Sequence, residues 1–113
     1  MERIRVHRDG MKDLVFEGEL LGAASNRYIG GQSQTTWFEL ELYKTKGGKY
    51  VLYEGFKTCW QGEADTHSAK VYENVDALRD GFLEEMSNLE YSLFSEACEK
   101  DPSLEDIRDD VII

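Results

Sequence analysis

Cys59, Glu63, Asp65 and His67 fall within nine residues of one another, and a thiol, two carboxylates and an imidazole are donor types that a metal ion takes. Their spacing fits neither the paired Cys and His arrangement of zinc sites nor the alternating acidic loop of calcium sites. The expectation is therefore no metal and no cofactor, with Cys59 a small buried residue on a strand and Glu63 and Asp65 parts of a solvated loop. Nucleophilic catalysis has even less to work with. His7 and His67 are the only imidazoles, and neither comes with a recognisable orienting acid or oxyanion motif. Glu39 and Glu41 alternate along one strand, which reads as the outward face of a sheet and not as a catalytic pair. Phosphate-cradling glycine motifs are missing, and Gly30-Gly31 is loop chemistry. The chain is expected not to be an enzyme.

Charge is the more informative chemistry. Net charge is −10, and it is unevenly divided: Met1 to Tyr72 holds ten acidic and ten basic residues, Glu73 to Ile113 thirteen and three. Asp76, Asp80 and Glu84 recur every four residues, so on one helix they form a row with steps of about 6 Å, which resembles phosphate spacing. Glu85, Glu96 and Glu99 extend the same anionic surface. A solvated polar face is the ordinary explanation of such a row. Here only Arg79, Lys100 and Arg108 offset the carboxylates, and self-repulsion on that scale makes sense if the surface attracts a basic partner. Direct nucleic-acid binding is excluded by the same charge, because phosphate contacts need clustered Lys and Arg.

The elements that must position these residues begin with Thr36 to Gln61. Two runs rich in aromatic and aliphatic residues flank Lys46-Gly47-Gly48-Lys49, a β-hairpin signal. A three-residue loop with Gly48 in the left-handed region sets Phe38 opposite Phe56 and Leu42 opposite Leu52, giving one coherent apolar face. A two-residue turn would break it. The chosen register also sets Leu40 against Glu54, which requires that end of the pair to lie near the sheet rim. The other face carries Trp37, Glu39, Glu41, Tyr43, Val51, Tyr53 and Lys57, a mixture that suits a half-covered sheet or a binding surface. Of the aromatics crowded here, most are expected in the core, with Trp37 or Tyr43 available to a partner.

Around the hairpin, Glu2 to Arg8 has strand periodicity, Arg8-Asp9-Gly10 turns the chain, and Leu14 to Ser25 fits a long strand with Phe16 and Leu20 inward and Glu17 and Glu19 outward. Gly18 is expected where another backbone or a large ring comes close. Asn26 to Gln34 reads as a polar loop holding Tyr28 and Ile29, and His67 to Glu73 as a fifth strand. Asn74 is a credible N-cap. Val75, Leu78, Phe82, Met86, Leu89, Leu93 and Ala97 recur at steps of three and four, predicting one helix from Val75 to about Glu99 that covers the sheet. Gly81 weakens it by roughly 1 kcal/mol, which a bend or close packing would explain. Asp101-Pro102 starts a short terminal helix on Leu104, Ile107 and Val111.

The fold class is thus α+β: an antiparallel meander sheet of about five strands, one face covered by a long C-terminal helix plus a short terminal helix. Residues 1–113 form a single domain, strand-rich over 1–73 and acidic and helical over 74–113. The N-terminus lacks the apolar run of a secretory signal and no segment approaches a membrane span. Two cysteines without a Cys-x-x-Cys pair read as reduced thiols, so the expected compartment is the cytoplasm.

Phe16-x-Gly18, Trp37 to Thr45, Gly48-Lys49-Tyr50-Val51 and Trp60-Gln61-Gly62-Glu63, spanning the middle half of the chain, resemble a family of small proteins encoded on bacterial plasmids and related mobile DNA. The resemblance implies a bacterial or phage setting in which small proteins act by binding and blocking host machinery. It assigns no activity to particular residues, and the acidic C-terminal part lies outside it. Together these readings point to a non-catalytic acidic interaction protein that binds, and inhibits in the manner of an anti-defence factor, a basic nucleic-acid-handling host protein. Its partner-binding residues would be Asp76, Asp80, Glu84, Glu85, Glu96, Glu99, Trp37 and Tyr43. The alternatives are an assembly module that forms homodimers through the hairpin edge, and a small-ligand domain that uses the loop between Ser25 and Thr36.

Overall fold

A computed structural model describes residues 1–26, 35–59, 62, 64–82 and 87–109, with the backbone alone at Asp109. At its centre β3 (Thr36–Thr45) and β4 (Tyr50–Thr58) form the hairpin. Gly48 has φ 88°, a conformation glycine adopts without steric cost, and its N–H donates to the Thr45 carbonyl at 3.0 Å. The three-residue loop therefore closes as expected. Phe38 pairs with Phe56, Leu42 with Leu52 and Leu40 with Glu54; Glu54 is exposed while Leu40 is buried, and the pair lies within the strand and not at its end.

β1 (Glu2–Val6), β2 (Leu14–Ser25), the hairpin and β5 (Thr66–Tyr72) make a five-stranded sheet in the order β1-β2-β3-β4-β5, every neighbouring pair antiparallel. One feature of β2 departs from simple alternation. Leu20 pairs with Tyr43 but Gly22 pairs with Leu42, so Leu21 is the extra residue of a bulge. Parity reverses there. Leu21 is buried on the helix side, whereas Leu20, expected inward, is 39% exposed on the opposite face, and Phe16 meets the Tyr43 ring on that same face at 5.7 Å. Gly18 behaves as expected, since a Cβ there would collide with the Lys44 carbonyl oxygen.

The sheet curls until its two edge strands meet at one end. The turn after β1 reaches across to β5: the Asp9 N–H donates to the His67 carbonyl at 2.9 Å, and the His67 N–H donates to the Asp9 carboxylate at 2.7 Å. One face thereby becomes concave.

The opposite, convex face carries the helices, and here the expected single long helix is corrected. α1 (Val75–Asp80) and α2 (Asn88–Ala97) are separate and short. Asn74 does cap α1, accepting from the Ala77 N–H at 2.8 Å. Gly81 ends that helix, and a Cβ there would stand 3.0 Å from the Tyr72 ring. Ser87 then caps α2 by accepting from the Glu90 N–H at 3.2 Å and donating its hydroxyl to the Glu90 carboxylate at 3.2 Å, and Ser87-Asn88-Leu89-Glu90 has the Ser-x-x-Glu sequence of a capping box. A new helix starts where the periodicity suggested continuation. The stripe keeps its phase across the break nonetheless: Val75, Leu78, Phe82, Leu89, Leu93 and Ala97 all join one core with Leu21, Leu40, Leu42, Tyr50 and Leu52. Met86 and Val111 lie outside the described residues. A single 3-10 turn, Pro102–Leu104, leads into α3 (Glu105–Asp109), and Leu104 and Ile107 close the core.

Candidate functional site

Two surfaces present polar chemistry, one on each side of the sheet. The concave side holds a cleft of about 210 Å³ lined by residues of four elements, among them Glu39 and Glu41 from β3, Tyr53 and Lys57 from β4, and His67 from β5. Strand alternation puts them together: each carries the parity opposite to Leu40, Leu42 and Leu52, so the register that buries those leucines turns these side chains inward. Tyr43 donates its hydroxyl to Glu41, and its phenol is pushed well above the ordinary value by burial and by the Glu41 carboxylate. Burial also raises Tyr53, which bonds through its hydroxyl to His67 Nδ1 at 2.7 Å. The Trp37 indole N–H donates to Glu39 at 3.0 Å.

At the rim of this cleft stand the two histidines. Their rings approach edge to face at 5.0 Å, joined by the Asp9 bridge to β5. His7 Nδ1 meets Asp13 at 2.9 Å and His7 Nε2 meets Asp9 at 3.3 Å, while Arg5 reaches the other Asp13 oxygen at 3.3 Å. The hydrogen bond to Asp13 raises the His7 pKa, and the same bond with help from Arg5 lowers that of Asp13. The expectation that neither histidine has an orienting acid is thus corrected. The acids come from the turn after β1, which sequence reading treated only as a turn.

The expectation for Cys59 is corrected as well. Cys59 is exposed just past the end of β4, not buried on a strand, and Asp65 uses its carboxylate to accept from the Thr58 N–H at 2.9 Å. Glu63 lies outside the described residues. His67 finds its neighbours instead in His7 and Asp9, far away in sequence.

The helical side is the second surface. Asp76 and Asp80 sit exposed on α1, Glu96 exposed on α2 and Glu99 just beyond its end. Glu84 and Glu85 lie outside the described residues. α1 ends at Asp80, so it carries only Asp76 and Asp80 of the expected row. Trp37 and Tyr43, expected as partner contacts, stand on the other side of the sheet from the acidic helices. Trp37 is only 8% exposed and Tyr43 is half-buried, both on the concave face with their polar atoms on Glu39 and Glu41.

Beneath the acidic layer lies a polar contact that sequence reading missed. Asp101, expected only as a cap, is 7% exposed and accepts from Tyr50 at 2.5 Å, Lys44 at 3.0 Å and the Ser103 hydroxyl at 2.5 Å. Burial alone would raise its pKa, but the hydrogen bonds from Ser103, Tyr50 and Lys44 overcome that and hold it down at about 2.

Fold and surfaces together define an α+β domain: a curled five-stranded antiparallel meander with short helices on its convex face. No family model matches the chain, and comparison with curated proteins and with solved structures found no match either. Both strands of the hairpin are paired on both sides, so the hairpin offers no edge for a second copy, and the free edges belong to β1 and β5. The loop between Ser25 and Thr36, the other alternative, falls almost wholly outside the described residues. No helix among the described residues is long and apolar enough to cross a membrane.

Proposed function

We propose that the protein is a non-catalytic interaction module whose acidic helical layer binds a cationic surface on a protein partner. The observation that supports this reading is where the few cations of that layer point. Arg79 turns inward, pairs with Asp76 of its own helix at 3.4 Å and stitches α1 to α3 through Asp106 at 3.2 Å. Lys100 donates to the Leu20 carbonyl on β2 at 3.0 Å. Asp80, Glu99 and Glu105 remain exposed, and among the described residues none of the three forms an ion pair. Arg79 and Lys100 therefore hold the architecture together while Asp80, Glu99 and Glu105 face solvent, an arrangement that raises self-repulsion unless a basic surface relieves it.

Proteins that handle nucleic acid carry such surfaces, because phosphate binding demands clustered Lys and Arg. With the resemblance to proteins of mobile DNA, the reading extends to an inhibitor of a host protein of that kind, an anti-defence factor of a plasmid or phage. The test compares two immobilised baits, wild type and Asp80→Lys/Glu99→Lys/Glu105→Lys, in extract of a bacterial host. A basic protein retained by wild type and lost by the reversed bait supports the reading. Identical captures would refute it.

A second reading has one observation in its favour. The concave cleft gathers Glu39, Glu41, Tyr43, Tyr53 and Lys57 around about 210 Å³, room for a small ligand. Chemical-shift changes confined to these residues on screening small polar compounds would favour it.

A further inference from the structure

We propose that His7, Asp9 and His67 form a binding site for a divalent first-row transition metal ion, with zinc the natural probe. One donor atom from each of the three lies within 4.8 Å of the other two. His7 Nε2 and Asp9 Oδ1 are 3.3 Å apart, about the separation of two donors that share a tetrahedral ion at roughly 2.0–2.1 Å. Two imidazoles with one carboxylate are a donor set that suits zinc and its neighbours, and oxygen-loving calcium and magnesium far less.

Proximity alone would not carry the proposal; the supporting shell does. A metal-bound histidine typically has its second nitrogen held by a carboxylate or another polar group, which fixes the ring's orientation and leaves the first nitrogen for the ion. Both histidines meet that requirement here. His7 Nδ1 is held by Asp13 at 2.9 Å, and Asp13 is itself held by Arg5 at 3.3 Å. His67 Nδ1 is held by the Tyr53 hydroxyl at 2.7 Å, so Nε2 is the nitrogen left to it. Asp9 is fixed in the same way, because its Oδ2 accepts the His67 backbone N–H at 2.7 Å while Oδ1 faces His7. Each of the three ligands thus has one atom anchored, and His7 and Asp9 turn their other donor atoms towards each other.

The ligands are brought together by the curl of the sheet. His7 and Asp9 follow β1 and His67 lies on β5, strands at opposite ends of the sheet order, and an ion here would clasp the two edges. His7 and His67 also line the cleft, so coordination positions beyond the three side chains open towards it. A protonated His7 held between Asp9 and Asp13 is the competing account of the same geometry, and it needs no ion and no part for the His67 imidazole.

Calorimetric titration of zinc into the untagged, chelator-stripped full chain distinguishes them, with cobalt spectroscopy to report the ligand type. The proposal predicts one ion per chain. Asp13→Asn weakens binding by about ten- to a hundredfold through loss of the supporting contact, His7→Gln and His67→Gln abolish it, and Cys59→Ser leaves it unchanged with no thiolate band in the cobalt spectrum. Asp9→Asn keeps an oxygen to accept the His67 N–H and still loses binding, which separates ligation from folding. No saturable binding to wild type would overturn the proposal, as would binding that survives His67→Gln or disappears in Cys59→Ser.

Discussion

Asp101 shows how much one side chain joins in this molecule. It caps the 3-10 turn, bonds to Tyr50 on β4 and pairs with Lys44 on β3, so one carboxylate locks the C-terminal helices onto the central hairpin. Its pKa, held at about 2, lies below an unfolded value near 3.9. A depressed carboxylate adds stability that is fully present above the unfolded value and is lost as pH falls through the folded one. Asp101→Asn should therefore cost about 2–3 kcal/mol at pH 7, and the deficit should shrink as pH falls from about 4 to about 2. Urea unfolding of both proteins at pH 7 and at pH 2.5 measures it. A deficit that is the same at both would mean that the loss comes from packing and not from charge. Asp101-Pro102 was legible as a helix start. Its partners were not, because Lys44 and Tyr50 are brought there only by the tertiary fold.

At the scale of elements, α2 is seated on β2 through a glycine. A Cβ on Gly22 would stand 3.0 Å from the Leu93 carbonyl oxygen and 3.2 Å from the Ala97 nitrogen, both helix backbone, which cannot step aside as a side chain would. Gly22→Ala should destabilise by about 1–3 kcal/mol, read as a lower urea midpoint; an unchanged midpoint would mean that the helix is not seated this closely. Ser87→Ala should cost about 1 kcal/mol by removing the cap. The hairpin register was legible in advance because the loop length and the apolar face select the same pairing. The apolar stripe was legible in membership but not in continuity. It advances by threes and fours straight through the break, while Ser87 and Glu90 spell a capping box that, weighed against the stripe, would have located the second helix start. The bulge at Leu21 had no signal in local alternation, and it turned Leu20 outward. The meeting of His7 and Asp9 with His67 had none either, since only the curl of the whole sheet produces it.

The whole molecule is an uneven distribution of charge on a small frame. Thirteen carboxylates against three cations after Tyr72 repel one another at low ionic strength, and screening relieves that repulsion. The thermal midpoint should therefore rise by a few degrees between about 0.02 and 0.5 M salt, a shift that corresponds to roughly 1 kcal/mol. A fall would mean that ion pairs such as those of Arg79 and Lys44 outweigh the repulsion. Reversing Asp80, Glu99 and Glu105 should leave the folded midpoint nearly unchanged, since exposed substitutions usually alter stability by no more than about 0.5 kcal/mol each. The measurement that bears most directly on the account is the affinity of a purified basic partner for wild type and for the reversed triple variant, across that same range of salt. Wild type should bind tightly at low salt and weaken steeply as salt rises, while the folded variant binds at least tenfold more weakly at low salt. Equal affinities with a flat salt dependence would contradict it, and the functional surface would then have to be sought in the concave cleft.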